Sequence, residues 1–158
     1  MARTEIIAAI GATIKGVAPK AKIHERERFK SSWSDFLTLF KTTDGLINGF
    51  TVTRKAKARR SVTAGQVEEA SVMMIRGWYG LKDEANSEAA FQDQVDGIDA
   101  ALLADESLQN TCETTHPDWG PMGGAVGLQA DLLELRKFGT VLCHYFEGRI
   151  CAIELVDI

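Results

Sequence analysis

The sequence predicts an α+β fold: one domain built on a largely antiparallel β-sheet, flanked by helices and carrying a long projecting β-hairpin. Three observations lead there. Strand-like runs fill the middle and the C-terminal third. Helical spacing governs the first 17 residues and residues 84–105. Turn pairs such as Asp44-Gly45 and Asn48-Gly49 punctuate the chain between runs. At 158 residues the chain is long enough to bury a core without disulfides or metal. Its 45% hydrophobic and 25% charged content is that of an ordinary globular protein. No run approaches the roughly 20 apolar residues of a membrane helix. No repeat or linker divides the chain, so residues 1–158 read as a single domain.

The N-terminal stretch "MARTEIIAAIGATIKGVAPK" places Ile6, Ile7, Ile10, Ile14 and Val17 at helical spacing. Glu5, Thr13 and Lys15 interrupt its apolar character, so an amphipathic helix is expected rather than a signal peptide. Pro19 ends it. "AKIHERERF" alternates Ile23, Glu25, Glu27 and Phe29 against His24, Arg26 and Arg28, which predicts a charged edge strand. "SSWSDFLTLFK" predicts a short helix capped by Ser32 or Ser34, with Trp33, Phe36, Leu37 and Phe40 buried.

A hairpin is expected over residues 50–80. "FTVTRKAKARRSV" goes out, "TAGQ" turns, and "VEEASVMMIRGWYGL" returns. Phe50 and Val52 with Val72, Met74, Ile75 and Trp78 are the residues expected to reach a core. An amphipathic helix follows at about 84–105, with Phe91, Val95, Ile98 and Leu102 on one stripe and Asn86 or Ser87 as cap. Between Lys82 and Glu106 there are eight carboxylates against one lysine, so the outer faces of this helix are acidic. "CETTHPDWGPMGGAVGLQ", with two prolines and four glycines, reads as an irregular loop that orders on a partner. Three strand-like runs close the chain: "ADLLELRKF", "TVLCHYFEG" and "RICAIELVDI".

No catalytic, cofactor-binding or metal constellation emerges from these residues, and a non-enzymatic protein without cofactors is expected. His24, His116 and His144 are too far apart in sequence for a ligand spacing. His144 is expected to be a satisfied sheet or interface histidine, and His116 a loop-ordering residue. Cys143 and His144 are neighbours on a strand and point to opposite faces. Cys112, Cys143 and Cys151 form no C-x-x-C pair and read as small buried residues. "GPMGG" lacks the G-K-[ST] ending of a phosphate loop.

One feature demands a use. Arg54, Lys55, Lys57, Arg59 and Arg60 place five cations within seven positions of a chain whose net charge is −4. Cations on both faces of a strand are costly to bury unpaired, so this end of the hairpin is expected to project as an arm on the order of 25 Å long. It could be a solvated tip, or a nucleic-acid clamp neutralising phosphates. The third use matches the arm to the acidic helix, with Asp93, Asp96 and Asp99 as its counterpart on a neighbouring copy. Such a contact is heterologous and repeats head to tail until it closes into a ring.

The segments "INGFTVTR", "IRGWYGLKDEANSEAAFQDQVDGIDAAL" and "VLCHYFEGRI" resemble the tail terminator (tail completion, minor tail) proteins of long-tailed bacteriophages. With the first two helices in the same order, the likeness covers most of the chain. It implies a small α+β virion protein that forms a hexameric ring on the head-proximal end of the tail tube. The implied partners are further copies of itself, the tube protein, whose polymerisation it stops, and the head–tail connector. Genomic DNA passes through such a ring without sequence-specific binding, and assembly takes place in the host cytoplasm. The resemblance implies neither catalysis nor a cofactor. Alternatives are another neck component, such as a connector or stopper, and a nucleic-acid-binding accessory protein using the basic hairpin.

Overall fold

The computed structural model describes residues 2–26, 33–138 and 141–158. Its helices are α1 (Ala2–Val17), α2 (Trp33–Phe40) and α3 (Ser87–Ala104), and its strands are β1 (Lys22–His24), β2 (Asn48–Thr63), β3 (Gln66–Gly80), β4 (Gln129–Phe138) and β5 (Val141–Asp157). The strands form one sheet in the order β1-β2-β3-β5-β4, antiparallel except for the short β1–β2 pair. The α+β class predicted from the sequence is the class observed.

Side chains of the sheet sort onto two faces by their period of two. One face carries Phe50, Val52, Met73, Ile75, Phe146 and Ile150, and lies under α1 and α3 in the main core. The α3 stripe of Phe91, Val95, Ile98 and Leu102 is buried as the spacing predicts. The other face is covered in two patches. Near the α2 end, Trp78, Cys143 and Tyr145 pack with Leu39, Phe40 and Ile47. At the far end, Ala70, Val72, Cys151 and Ile153 lie under Met122, Trp119 and Ala125 of the loop after α3.

Glycine makes one close approach possible in the main core. In the row across the sheet, Phe50 and Phe146 flank Gly77 on either side. A Cβ on Gly77 would stand 2.5 Å from the Phe50 ring. The missing side chain leaves that ring room to lie over the strand.

Several expectations are corrected. The last two strand-like runs are a single 17-residue strand, β5. Gly148 does not break it because the space its side chain would fill is taken by the Phe146 ring and Leu128. The Gly/Pro loop needs no partner to be ordered. Gly124 N–H donates to the Pro117 carbonyl at 2.7 Å, Ile153 N–H to the Thr114 carbonyl at 2.9 Å, and Met122 is buried against the sheet. At the start of α3, Asn86 occupies the cap position at φ 51° without a side-chain cap bond. Ser87 Oγ instead accepts from Lys82 N–H at 2.8 Å and bonds His144 Nε2 at 2.8 Å. The strand expected over "AKIHERERF" is confined to Lys22–His24 among the described residues, and Glu27 to Phe29 lie outside them. The Ser32 cap also lies outside them, as does the Ser34 side chain.

Among the described residues, no helix is long and apolar enough to cross a membrane. The three cysteines are free thiols; Cys143 and Cys151 are buried as expected, whereas Cys112 is half-buried. Burial raises Cys112 to about 12 and Cys143 and Cys151 to about 11, which keeps each protonated at neutral pH.

Candidate subunit interface

The hairpin is as long as the sequence predicts, but it is not a two-stranded arm. β5 pairs with β3 along its whole length, from Gly80↔Cys143 to Gln66↔Asp157. Ile158 N–H donates to the Gly65 carbonyl in the turn at 2.8 Å. Three strands therefore reach the tip, with β3 between β2 and β5.

Four of the five cations are answered within the chain, by Glu68 and Glu69 of β3 and by Asp118. A bulge at Lys55 shifts the alternation of β2 by one residue, so that Lys57 and Arg59 join Arg54 on the α1/α3 face. All three converge on Glu69, which is only 9% exposed. Arg59 Nε lies 2.7 Å from its carboxylate, Lys57 Nζ 3.8 Å and Arg54 Nη1 3.9 Å. Arg60 points to the opposite face, where it bonds Glu68 at 2.7 Å and Asp118 at 3.3 Å. Its guanidinium also sits 4.9 Å from the centre of the Trp119 ring, docking the Gly/Pro loop on the sheet. The "EE" of the returning strand, Glu68 and Glu69, was the available signal, since antiparallel pairing sets acids opposite the "RR" of Arg59 and Arg60.

The acid that balances Arg54, Lys57 and Arg59 lies beneath them. Glu69 is paired across strands with Glu154, itself 8% exposed. Burial, and then the Glu69 carboxylate, raise the Glu154 pKa above its ordinary value. A carboxyl with a raised folded pKa contributes stability below its unfolded pKa and loses it as pH rises through the folded one. Glu154→Gln is therefore expected to stabilise the protein at pH 7, by up to about 1 kcal/mol. The gain should vanish as the pH falls to about 4, where the unfolded carboxyl takes up its proton. Chemical denaturation at both pH values checks this. A loss of stability at pH 7 would mean that attraction to Arg54 outweighs burial and repulsion.

The surface that results is basic along the edge of β2. Lys55, Lys57, Arg59 and Arg60 are exposed, while Glu69, which answers Arg54, Lys57 and Arg59, is buried. β1 pairs only with Gly49–Thr51, so among the described residues the outer edge of β2 from Val52 to Thr63 carries no strand. Beside this edge, Arg3, Arg26, Arg54 and Lys55 gather around a cleft of about 460 Å³, with Glu25 as the carboxylate on its wall.

The other edge of the sheet is different in kind. Among the described residues β4 pairs only with β5 and leaves its outer side open. On its α3-facing side Leu133 and Leu135 are 43% and 48% exposed, and Leu142 of β5 is 41% exposed beside them. A groove of about 250 Å³ runs between this strand and α3, lined by Glu88, Phe91, Gln92, Leu133, Leu135 and His144.

The three predicted aspartates do not act as one group. At about 100° per residue, Asp96 and Asp99 fall on the flank of α3 that carries Glu88 and Gln92, facing β4, whereas Asp93 turns away. All three are exposed. Partial burial, followed by repulsion from Asp96, raises the Asp99 pKa. No aspartate of α3 reaches the hairpin cations of its own copy in any ion pair among the described residues. Nor do the described residues contain a cluster of three or more histidines, cysteines or carboxylates placed to hold a metal ion. No family model matches the chain, and no curated protein matches it.

Proposed function

We propose that this chain is a non-enzymatic structural protein that assembles into a ring, capping the head-proximal end of a phage tail tube. The ring ends polymerisation of the tube protein and joins the tail to the head connector. The reading rests on the resemblance of "RGWYGLKDEANSEAAF" and its flanking segments to tail terminators. The observation that carries it is the presence, among the described residues, of two unlike open stretches of edge on one sheet, basic along the far half of β2 and apolar on β4. Unlike edges favour heterologous contacts, which repeat head to tail and close when the rotation allows.

A lumen that passes DNA is best lined by carboxylates, which repel phosphate, and the chain's net charge of −4 is of the required sign. Electron microscopy of the purified protein, alone and with tube protein, tests the proposal. Closed rings, and tubes that stop elongating when it is added, are the expected result. A monomer that leaves tube growth unchanged, or one that binds DNA instead, would overturn it.

A further inference from the structure

We infer that the groove between α3 and β4 is the seat for the β2 edge of a second copy of this chain. The inference rests on the ring reading for its biological setting and on the two edges for its chemistry.

The groove has an apolar wall, Leu133 and Leu135, with Leu142 beside it, and Glu88 on its α3 side; beyond its lining, Asp96 and Asp99 continue the same flank of α3 as an acidic rail. The far half of β2 offers the complement. Its exposed cations Lys55, Lys57, Arg59 and Arg60 are followed by Val62, which is 47% exposed. Both strands also have an unpaired outer edge among the described residues, so each has backbone donors and acceptors to offer the other. Apolar contact at the centre with complementary charge around it is how specific interfaces are built.

The two surfaces cannot meet within one copy. The groove lies level with Gly77 to Tyr79 of β3, whereas the tip lies at Gln66. Lys55 to Val62 lie level with β3 residues 73 to 66, so at ~3.3 Å per residue the separation along the strands runs from roughly 15 to 40 Å, and the two edges are on opposite sides of the sheet. The contact is thus between copies, and every copy presents both halves of it. Exposed cations and a bulge on β2 also discourage like-edge pairing of β2 with β2, leaving the acidic, apolar groove as the preferred site.

Charge reversal gives a test that separates this contact from the ring reading as a whole. Lys55→Glu/Lys57→Glu makes the arm acidic against an acidic rail, and Asp96→Lys/Asp99→Lys makes the rail basic against a basic arm. Each variant alone is expected to need about tenfold or more protein to assemble, as measured by sedimentation velocity. Mixed one to one they should assemble again, because each arm then meets an opposite rail. Circular dichroism checks that both remain folded. Leu135→Arg, at a half-exposed site, is a further variant and is expected to stay monomeric.

Wild-type-like assembly of any of these variants, or failure of the mixture to recover, overturns the inference while leaving the ring reading standing. Recovery of assembly in a protein that never caps tubes supports the contact and defeats the ring reading. A wild-type chain that is monomeric at every concentration, with and without tube protein, defeats both.

Discussion

Phe146→Ala is expected to lower the free energy of unfolding by about 3–5 kcal/mol, among the largest effects of any single truncation in this chain. Phe146 is fully buried on the α1/α3 face, in β5, the strand that holds β3 and β4 together. Its cross-strand neighbours on that face are Gly77 and Leu133. The nearest residue two positions along its own strand is Gly148, whose missing side chain makes room for the ring. Loss of the ring leaves two adjacent glycines that offer no side-chain atoms, so collapse of the cavity depends on Phe50 and Leu128 shifting into it. A drop in Tm on the order of 10 °C should accompany the change. Phe146→Leu should recover much of the loss. A cost below about 1 kcal/mol for the alanine variant would mean that the helices settle onto the sheet without the ring.

Glu69→Lys should cost about 3 kcal/mol or more, by a different mechanism. Glu69 is nearly buried and answers Arg54, Lys57 and Arg59 together. A lysine there sets four cations around one point and leaves the remaining carboxylate, Glu154, to balance them. Glu69→Gln should be milder, because Arg54, Lys57 and Arg59 are all partly exposed and water screens what they lose. It also removes the repulsion that Glu154 feels from Glu69, so part of its cost is returned at neutral pH. Urea titrations of both variants at low and high salt measure the effect. High salt should narrow the gap between Glu69→Lys and wild type. A Glu69→Lys protein as stable as wild type would show that the cations do not depend on this carboxylate.

The architecture around these residues was legible to different depths. Periodicity is a local property, and it located α1, α2, α3 and the hairpin, together with the buried stripe of α3. Gly148 misled, because a glycine in a strand reads as a break until the ring that occupies its space is seen. The Gly/Pro loop misled in the same way. Composition marks it as irregular, but only Met122 and Trp119 resting on Ala70, Val72, Cys151 and Ile153 reveal it as the cover of one sheet face.

For the candidate interface the division is sharper. Local patterns alone establish an α+β chain with a long hairpin, five clustered cations on its outgoing strand and an acidic helix after it. Hydrophobic period, turn residues and charge are all written within short windows, so these features survive without knowledge of neighbours. Where the charges point follows from how distant segments pair. A one-residue bulge at Lys55 turns Lys57 and Arg59 toward a buried glutamate, and among the described residues the shortness of β1 leaves the far half of β2 open, as β4 is on the other side. Register and strand order depend on which distant segments pair, and no local pattern encodes that choice.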